Sequence, residues 1–98
     1  MSRSRAEILT PNASKYLVQL SKHWSHKFPV EWDDAHSHIP FAQAQAQAWL
    51  EAKNGLLVAE VEAPEADLAH MQKVVADHLN RFAFREGELA FDWKRTEA

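Results

Sequence analysis

The chain has 98 residues, which is enough for one domain with a single modest core. Hydrophobic residues make up 46% and charged residues 26%, a composition typical of a globular domain and not of a disordered one. The lack of cysteine excludes disulfides, a thiol nucleophile and a thiolate metal site. The 11 basic and 14 acidic residues argue against nucleic-acid binding, because a phosphate backbone attracts clustered Lys and Arg.

The sequence contains no apolar run of the length that a signal peptide or a membrane span requires. We therefore expect a single α+β domain over residues 1–98, located in the cytoplasm, with neither membrane nor nucleic acid as a partner.

The N-terminal part of the chain predicts a strand followed by a helix. Arg3 to Leu9 alternates weakly with period two, which indicates a first strand. A hydroxyl followed by proline at Thr10-Pro11 predicts a helix start. The helix runs to about Lys27, because Phe28-Pro29 disfavours helical backbone. Its apolar stripe consists of Ala13, Tyr16, Leu17, Leu20 and Trp24.

Short strands are predicted next. Val30 to Trp32 alternates and indicates a second strand, which ends in a turn at Asp33 to Ser37. A third strand begins near His38, and Pro40 predicts a bulge or a sheet edge within it. Ala42 to Ala48 consists of helix formers, yet its apolar residues recur with period two. We assign this segment to a strand because it leads into a hairpin.

Asn54-Gly55 is a strong hairpin signal, and the register that it sets supports this assignment. A two-residue turn pairs Lys53 with Leu56. One face of the hairpin is then apolar throughout, with the pairs Ala52–Leu57, Leu50–Ala59, Ala48–Val61 and Ala46–Ala63. The other face is mixed and carries Trp49. The pattern predicts small side chains beneath a helix layer and a tryptophan on the opposite face.

A second helix and a last strand complete the predicted fold. Pro64 to Asp67 opens the helix and Gly87 closes it. Leu89 to Lys94 alternates with aromatic residues on one face, which predicts a strand. The expected fold class is α+β: a two-layer sandwich in the order β-α-β-β-β-α-β, with two helices packed on one face of a mainly antiparallel sheet.

Histidine is the residue type best suited to metal binding here, because the chain has 6 histidines and no cysteine. His23 and His26 are spaced i, i+3 on the first helix, so they are surface neighbours and could hold one metal ion. Further ligands would come from His78 or from His36 and His38. The spacing matches none of the strong zinc patterns, and a helical pair of this kind is usually a solvated one.

Catalytic motifs are lacking in the sequence. Two glycines can build neither a phosphate-binding loop nor a nucleophile elbow. Glu51, Glu60 and Glu62 share one face of the hairpin, where a solvated surface is the simpler interpretation than acid–base chemistry. We expect no enzymatic activity and no cofactor.

Trp49 suggests a binding surface, because it lies opposite the predicted helix layer. Depending on the register, Trp32 or Trp93 joins it. An open sheet face with aromatic residues suits a protein partner or a flat ligand.

Two segments of the sequence carry a resemblance to a known family. They are Lys22-His23-Trp24-Ser25-His26-Lys27-Phe28-Pro29-Val30 and Val75-Ala76-Asp77-His78-Leu79-Asn80-Arg81-Phe82-Ala83-Phe84-Arg85-Glu86. Together with Ala6 to Ala13 and Leu89 to Trp93, they resemble the bacterial domain of unknown function 2218. The Ala42 to Ala48 stretch departs from the family, in which a more varied strand is expected.

The resemblance implies a stand-alone cytosolic α+β domain without an established activity, sometimes found beside or fused to siderophore-interacting flavin reductases. Its matching positions are the core-like Trp24, Phe28 and Phe82 and the polar His23, His26, His78, Arg81, Arg85 and Glu86. If both helices pack on one sheet face, the polar set could meet along the helix seam and bind an anionic ferric siderophore. Arg85 and Glu86 could equally form a structural salt link.

Two hypotheses follow. The leading one is a non-enzymatic accessory module, associated with iron–siderophore metabolism, that binds a flavin-dependent siderophore-interacting reductase or a small anionic ligand. It would act through the polar seam of His23, His26, His78, Arg81 and Arg85, or through the sheet face at Trp49. The alternative is a histidine-based transition-metal-binding protein that uses His23 and His26.

Overall fold

The structure is a computed structural model that describes residues 1–41, 45–87 and 89–96. Its strands and helices are β1 (Ser2–Leu9), α1 (Ala13–Ser25), β2 (Glu31–Trp32), β3 (His36–Phe41), β4 (Ala46–Lys53), β5 (Leu56–Ala63), α2 (Leu68–Phe82) and β6 (Lys94–Arg95). Short 3₁₀ turns at Glu65–Asp67 and Phe84–Glu86 flank α2. In the described parts of the chain, neither helix is long and apolar enough to cross a membrane.

The strands form one sheet in the order β2-β3-β4-β5-β1-β6, and every neighbouring pair is antiparallel. Strands β2 to β5 follow one another as a meander, while β1 and β6 complete the sheet beyond β5. Both helices pack on the same face and bury one core with it. The predicted two-layer α+β class is confirmed.

The β4–β5 hairpin has the predicted register, from Lys53 opposite Leu56 to Gln47 opposite Glu62. Gly55 in the turn has φ +75°, a left-handed conformation that glycine adopts without strain. On the face beneath the helices, Ala48 and Ala59 are fully buried. Their small side chains let the helices lie close to the sheet.

The segment between the helices contains four strands where the predicted order has three. β4 begins only at Ala46, and Gln45 before it has a positive φ of 53°, so β3 and β4 are separate antiparallel strands. The rest of the predicted strand at Ala42 to Ala48 falls partly on residues 42–44, which lie outside the described residues. Pro40 lies in a part of β3 that β2 does not reach, which agrees with the predicted sheet edge.

The predicted last strand at Leu89 to Lys94 is wrong in its extent. β6 consists of Lys94–Arg95 alone, and it pairs with Ser4 and Arg5 of β1. Leu89 is buried in the core, and its N–H donates to the side chain of Asn80 at 2.7 Å instead of to a strand. The alternation of apolar residues here reflects burial of side chains, which does not require a hydrogen-bonded strand.

Buried hydroxyl groups tie each helix to the sheet. The Ser21 hydroxyl of α1 donates to the carbonyl of Leu17 and lies 2.7 Å from the Ser37 hydroxyl of β3. The Gln72 amide of α2 donates to the Ser4 hydroxyl of β1 at 2.7 Å. These contacts fix the helix layer over one face of the sheet and leave the other face without helices.

Candidate functional site

Trp49 lies at the centre of the sheet face that the helices leave uncovered. In the register, it is opposite His38 of β3 on one side and opposite Glu60 of β5 on the other. Because side chains alternate along a strand, these three share one face, while Leu50 points to the helix layer and is buried. Trp49 is therefore placed where the hairpin pattern predicts.

A groove of about 570 Å³ crosses this face, a volume within the range of roughly 300–1,000 Å³ typical of ligand sites. We call it the tryptophan groove, and its lining residues are Arg3, Glu31, Trp32, Asp33, His36, Ser37, His38, Trp49, Leu50, Glu51, Val58 and Glu60. Of the two tryptophans that the sequence offers as companions for Trp49, Trp32 lines the groove. Trp93 instead packs against the core and stacks on Phe91, with ring centroids 5.9 Å apart.

The Trp49 ring is held by one side chain from each flank. The His38 ring stacks on it with centroids 5.5 Å apart and an interplanar angle of 18°. The Arg3 guanidinium lies 4.3 Å from the ring centroid and pairs with Glu60 at 3.1 Å. The Nε2 of His38 lies 2.8 Å from the amide oxygen of Gln47, which can only accept, so this nitrogen carries the proton. These contacts hold the indole in a fixed position on the uncovered face.

The acidic groups of the tryptophan groove are Glu31, Asp33, Glu51 and Glu60. The N–H groups of Ala35 and His36 donate to Asp33 at 2.8 and 2.7 Å and hold the pKa of its carboxyl below the usual value. Glu51 lies 3.2 Å from the His36 ring. The Glu31 side chain makes no hydrogen bond or ion pair with any described residue.

The helix seam brings two of the predicted polar residues into contact. The rings of His23 and His78 have centroids 5.4 Å apart, and both lie beside an aromatic ring: His78 next to Trp24 at 4.9 Å, His23 next to Phe82 at 6.2 Å. The Nδ1–H of His78 donates to the carbonyl of Val74 at 2.7 Å, so this histidine is anchored to its own helix.

Basic side chains surround His23. Burial lowers the pKa of its ring, and His78, Arg81, His26 and Lys27 lower the pKa further in that order. The structure thus gathers His23, His26, His78 and Arg81 of the predicted polar set into one basic group, in which His78 is half-buried and the other three are exposed.

Arg85 and Glu86 do not form the salt link that was one of the two alternatives for this pair. The Glu86 carboxylate instead accepts hydrogen bonds from Tyr16, from Asn12 at 2.9 Å and from Thr10 at 3.0 Å. These bonds lower the pKa of Glu86, and burial together with Glu86 raises the pKa of Tyr16. Arg85 lies over the ring of the exposed Phe84, 5.7 Å from its centroid, and has no ion pair among the described residues. Glu86 therefore fastens the segment after α2 to the start of α1.

The predicted metal ligands do not converge. His36 and His38 lie on the uncovered face of the sheet. His23 in α1 and His26, which directly follows α1, lie on the opposite face, so the two pairs cannot share one ion. Over residues 1–41, 45–87 and 89–96, no group of three or more His, Asp or Glu side chains is arranged to hold a metal.

Sequence reasoning missed Arg3 and Glu31 as components of the candidate surface. Arg3 reaches Trp49 only because β1 pairs with β5 across most of the chain, which puts Arg3 opposite Glu62. No local sequence pattern predicts the pairing of β1 with β5. For Glu31, the available signal is its position next to Trp32 in a strand too short to bury either side chain.

These features define a class: a two-layer α+β domain with an open antiparallel sheet and an aromatic, acidic groove on the uncovered face. The chain belongs to the family described as uncharacterized protein conserved in bacteria (DUF2218), whose model matches residues 5–94. It is also 37% identical to PA4090 from Pseudomonas aeruginosa, a protein with an NMR structure, with a TM-score of 0.81 and 100% of each chain covered. No curated protein matches the chain.

Proposed function

We propose that this protein is a non-catalytic binding module and that the tryptophan groove receives an extended segment of a partner protein. The observation that carries the proposal is the position of Trp49, at the centre of the only large sheet face that the described helices do not cover. If a second helix layer covered this face, it would bury the Trp49 indole. Here the Trp49 side chain lines a groove together with a second tryptophan, Trp32.

The chemistry of the groove is that of protein interfaces. Tryptophan is enriched among the few residues that carry most of the binding energy, because it supplies a large apolar area with little loss of side-chain freedom. Trp49 is held by His38 and Arg3, so little ordering remains for a ligand to impose. Trp32 at the rim is 37% exposed and therefore available to a ligand.

An NMR titration of the folded protein with three blocked tripeptides tests the proposal. Their central residue is arginine, citrulline or glutamate. We expect at least one of them to cause saturable shifts of the Trp32 and Trp49 indole N–H signals, and Trp49→Ala to abolish the shifts while the protein stays folded. If none of the peptides shifts either indole signal, the groove is not a peptide-binding surface.

A second candidate function rests on the basic group at the helix seam. The basic side chains of Arg81, Lys27, His26 and His78 surround His23, an arrangement that suits an anionic ligand such as a ferric siderophore. This reading retains the association with iron–siderophore metabolism and with a flavin-dependent siderophore-interacting reductase as partner. A ferric catecholate complex should then shift the amide signals around Arg81 and Arg85, and salt should weaken the binding.

Transition-metal binding is tested by the same NMR method, with zinc as the titrant. Among the described histidines, His23 and His78 have their rings in contact at the seam, and His26 follows directly after α1. If these histidines bind zinc, the metal should shift their imidazole signals saturably and be released as the rings protonate at acidic pH. Without such shifts, the metal hypothesis is lost and the two binding surfaces remain.

A further inference from the structure

We propose that the surface at the end of α2 docks an acidic segment of a partner protein. We call this surface the Phe84 patch, and it consists of Phe84 together with Arg81 and Arg85. Phe84 would contact an apolar residue of the segment, while the two arginines would bind its carboxylates. The patch belongs to the helix layer, so it is separate from the tryptophan groove and does not depend on the function proposed for that groove.

The aromatic ring of the patch is exposed to solvent. Phe84 is 72% exposed, although Ala83 before it is fully buried and Phe82 packs against the core. The guanidinium of Arg85 lies over the Phe84 ring, 5.7 Å from its centroid, and this contact favours one position of the ring. Aromatic and arginine side chains are enriched at protein interfaces and among the residues that dominate their binding energy. Phe84 is therefore suited to an apolar contact with a partner.

A shallow groove runs beside the ring and has room for a peptide segment. Its volume is about 630 Å³, and its lining residues are Asp77, Asn80, Arg81, Phe84 and Gly87. Asp77 pairs with Lys73 at 2.9 Å, so the carboxylate of the groove already has a cationic partner. Arg81 is thus the charged group of the lining that a ligand can still pair with.

The basic residues of the helix layer lack the ion pairs that the sheet provides. In the described parts of the chain, Arg81, Arg85, Lys22 and Lys27 form no ion pair. The strands differ, because each of their lysines and arginines pairs with a carboxylate; these are Arg3, Arg5, Lys53, Lys94 and Arg95. Helix α1 contains no acidic residue. Although the chain has a net charge of −3, its unpaired positive charge is thus concentrated on the side that carries Phe84.

The dipole of α2 explains part of this arrangement. The C-terminal end of a helix carries partial negative charge, which favours Arg81 and Arg85 at this place. The dipole does not explain why an exposed phenylalanine accompanies them. An acidic segment with one apolar residue would contact all three side chains at once, whereas a small anion would use the arginines alone. The composition of the patch therefore favours a protein segment.

Titration of the labelled protein with three blocked pentapeptides tests the proposal. They are Glu-Glu-Leu-Glu-Glu, its uncharged analogue Gln-Gln-Leu-Gln-Gln, and Glu-Glu-Gly-Glu-Glu, which lacks the apolar residue. We expect the first peptide to shift the amide signals of residues 81–86 saturably. It should bind about tenfold more tightly than the glutamine peptide and about three- to fivefold more tightly than the glycine peptide. Added salt should weaken its binding.

Variants of the patch and a matched control locate the effect. Phe84→Ala should remove the preference for leucine over glycine and leave the protein folded, because the side chain is exposed. Arg81→Gln and Arg85→Gln should each weaken binding of the leucine-containing acidic peptide about two- to fivefold. Arg5→Gln removes the same charge from the uncovered face, where Arg5 lies opposite Glu60, and should not change the affinity.

Several outcomes would overturn the proposal. Equal affinity for the acidic and the glutamine peptide excludes carboxylate recognition, and equal affinity for the leucine and the glycine peptide excludes the contact with Phe84. Equal weakening by Arg5→Gln and Arg85→Gln indicates general attraction between charges. Vesicles of phosphatidylglycerol and a ferric catecholate complex are titrated in parallel. If either of them shifts the signals of the patch and the acidic peptide does not, the patch binds a lipid surface or a small anion instead.

Discussion

The two faces of the sheet are built by the same strands and differ in almost every property. On the covered face, alternate residues of β4 and β5 are alanine, leucine and valine, and Ala48, Leu57 and Ala59 are fully buried. On the uncovered face, the residues between them are mostly acidic or polar, together with Trp49, Leu56 and the buried Val58, and Trp49 and Glu60 are only half-buried. Stability is thus concentrated on one face, and the other face is left to bind a ligand. Neighbouring residues of one strand should therefore respond differently to mutation.

The largest difference is expected between Leu50→Ala and Trp49→Ala. Leu50 points into the core, so its truncation should lower the free energy of unfolding by about 2–5 kcal/mol. Trp49→Ala deletes a larger side chain from the uncovered face and should cost about 1 kcal/mol, with the protein still folded. Urea unfolding of both variants measures the two effects. If Trp49→Ala unfolds the protein, the uncovered face is part of the core, and the two faces of the sheet do not differ in their contribution to stability.

The second-largest loss of stability is expected from overpacking of the covered face. Ala59 is fully buried beneath the helices, so Ala59→Leu should force the helix layer away from the sheet and cost about 1–3 kcal/mol. Val58→Leu, on the other face of the same strand, is the control at a residue that is also buried but has no helix above it, and it should cost less. Thermal unfolding compares them, and equal losses would show that the spacing of the layers does not limit the covered face.

The bond between Tyr16 and Glu86 tests what holds the helix layer at its end. Tyr16→Phe keeps the buried ring and removes the hydroxyl that donates to the carboxylate, so it should cost about 1–2 kcal/mol at neutral pH. The pKa of Glu86 is lowered in the folded protein. Its contribution is therefore present above the ordinary carboxyl pKa and disappears as the pH falls through the lowered value. Urea unfolding at neutral and acidic pH should show the difference between variant and wild type shrinking in acid; a constant difference contradicts the assignment.

The smallest effect is expected at His23, on the outer side of the helix layer. The pKa of His23 is lowered in the folded protein, so the unfolded chain takes up a proton more readily. The protein should lose stability as the pH falls below the ordinary histidine value of roughly 6.5. His23→Gln should make this part of the pH profile flatter. Melting temperatures at several pH values check this, and an unchanged slope would show that His23 titrates normally.

Local signals and long-range pairing account for what the sequence could and could not predict. The β4–β5 register follows from a two-residue turn and a period-two pattern, so Trp49 could be placed on the uncovered face from the sequence alone. The segment Leu89 to Trp93 was predicted as a strand because alternation reports burial on one side, whichever groups its backbone bonds to. Arg3 over Trp49 and Tyr16 on Glu86 depend on residues far apart in the chain. No periodicity within a segment encodes such contacts.

The position of β1 also determines the order in which the sheet can assemble. Strands β2 to β5 are neighbours in sequence, so their pairing closes only short loops. β1 must wait for β5, since Ser2 pairs with Ala63 and Leu9 with Leu56. Contacts between such distant residues slow folding, because the entropy of a long loop is lost before the pairing is gained. Because β1 is synthesised before β5, it is among the last of these strands to find its partner, and Ala6 and Ile8 should remain exposed on the nascent chain until β5 has left the ribosome.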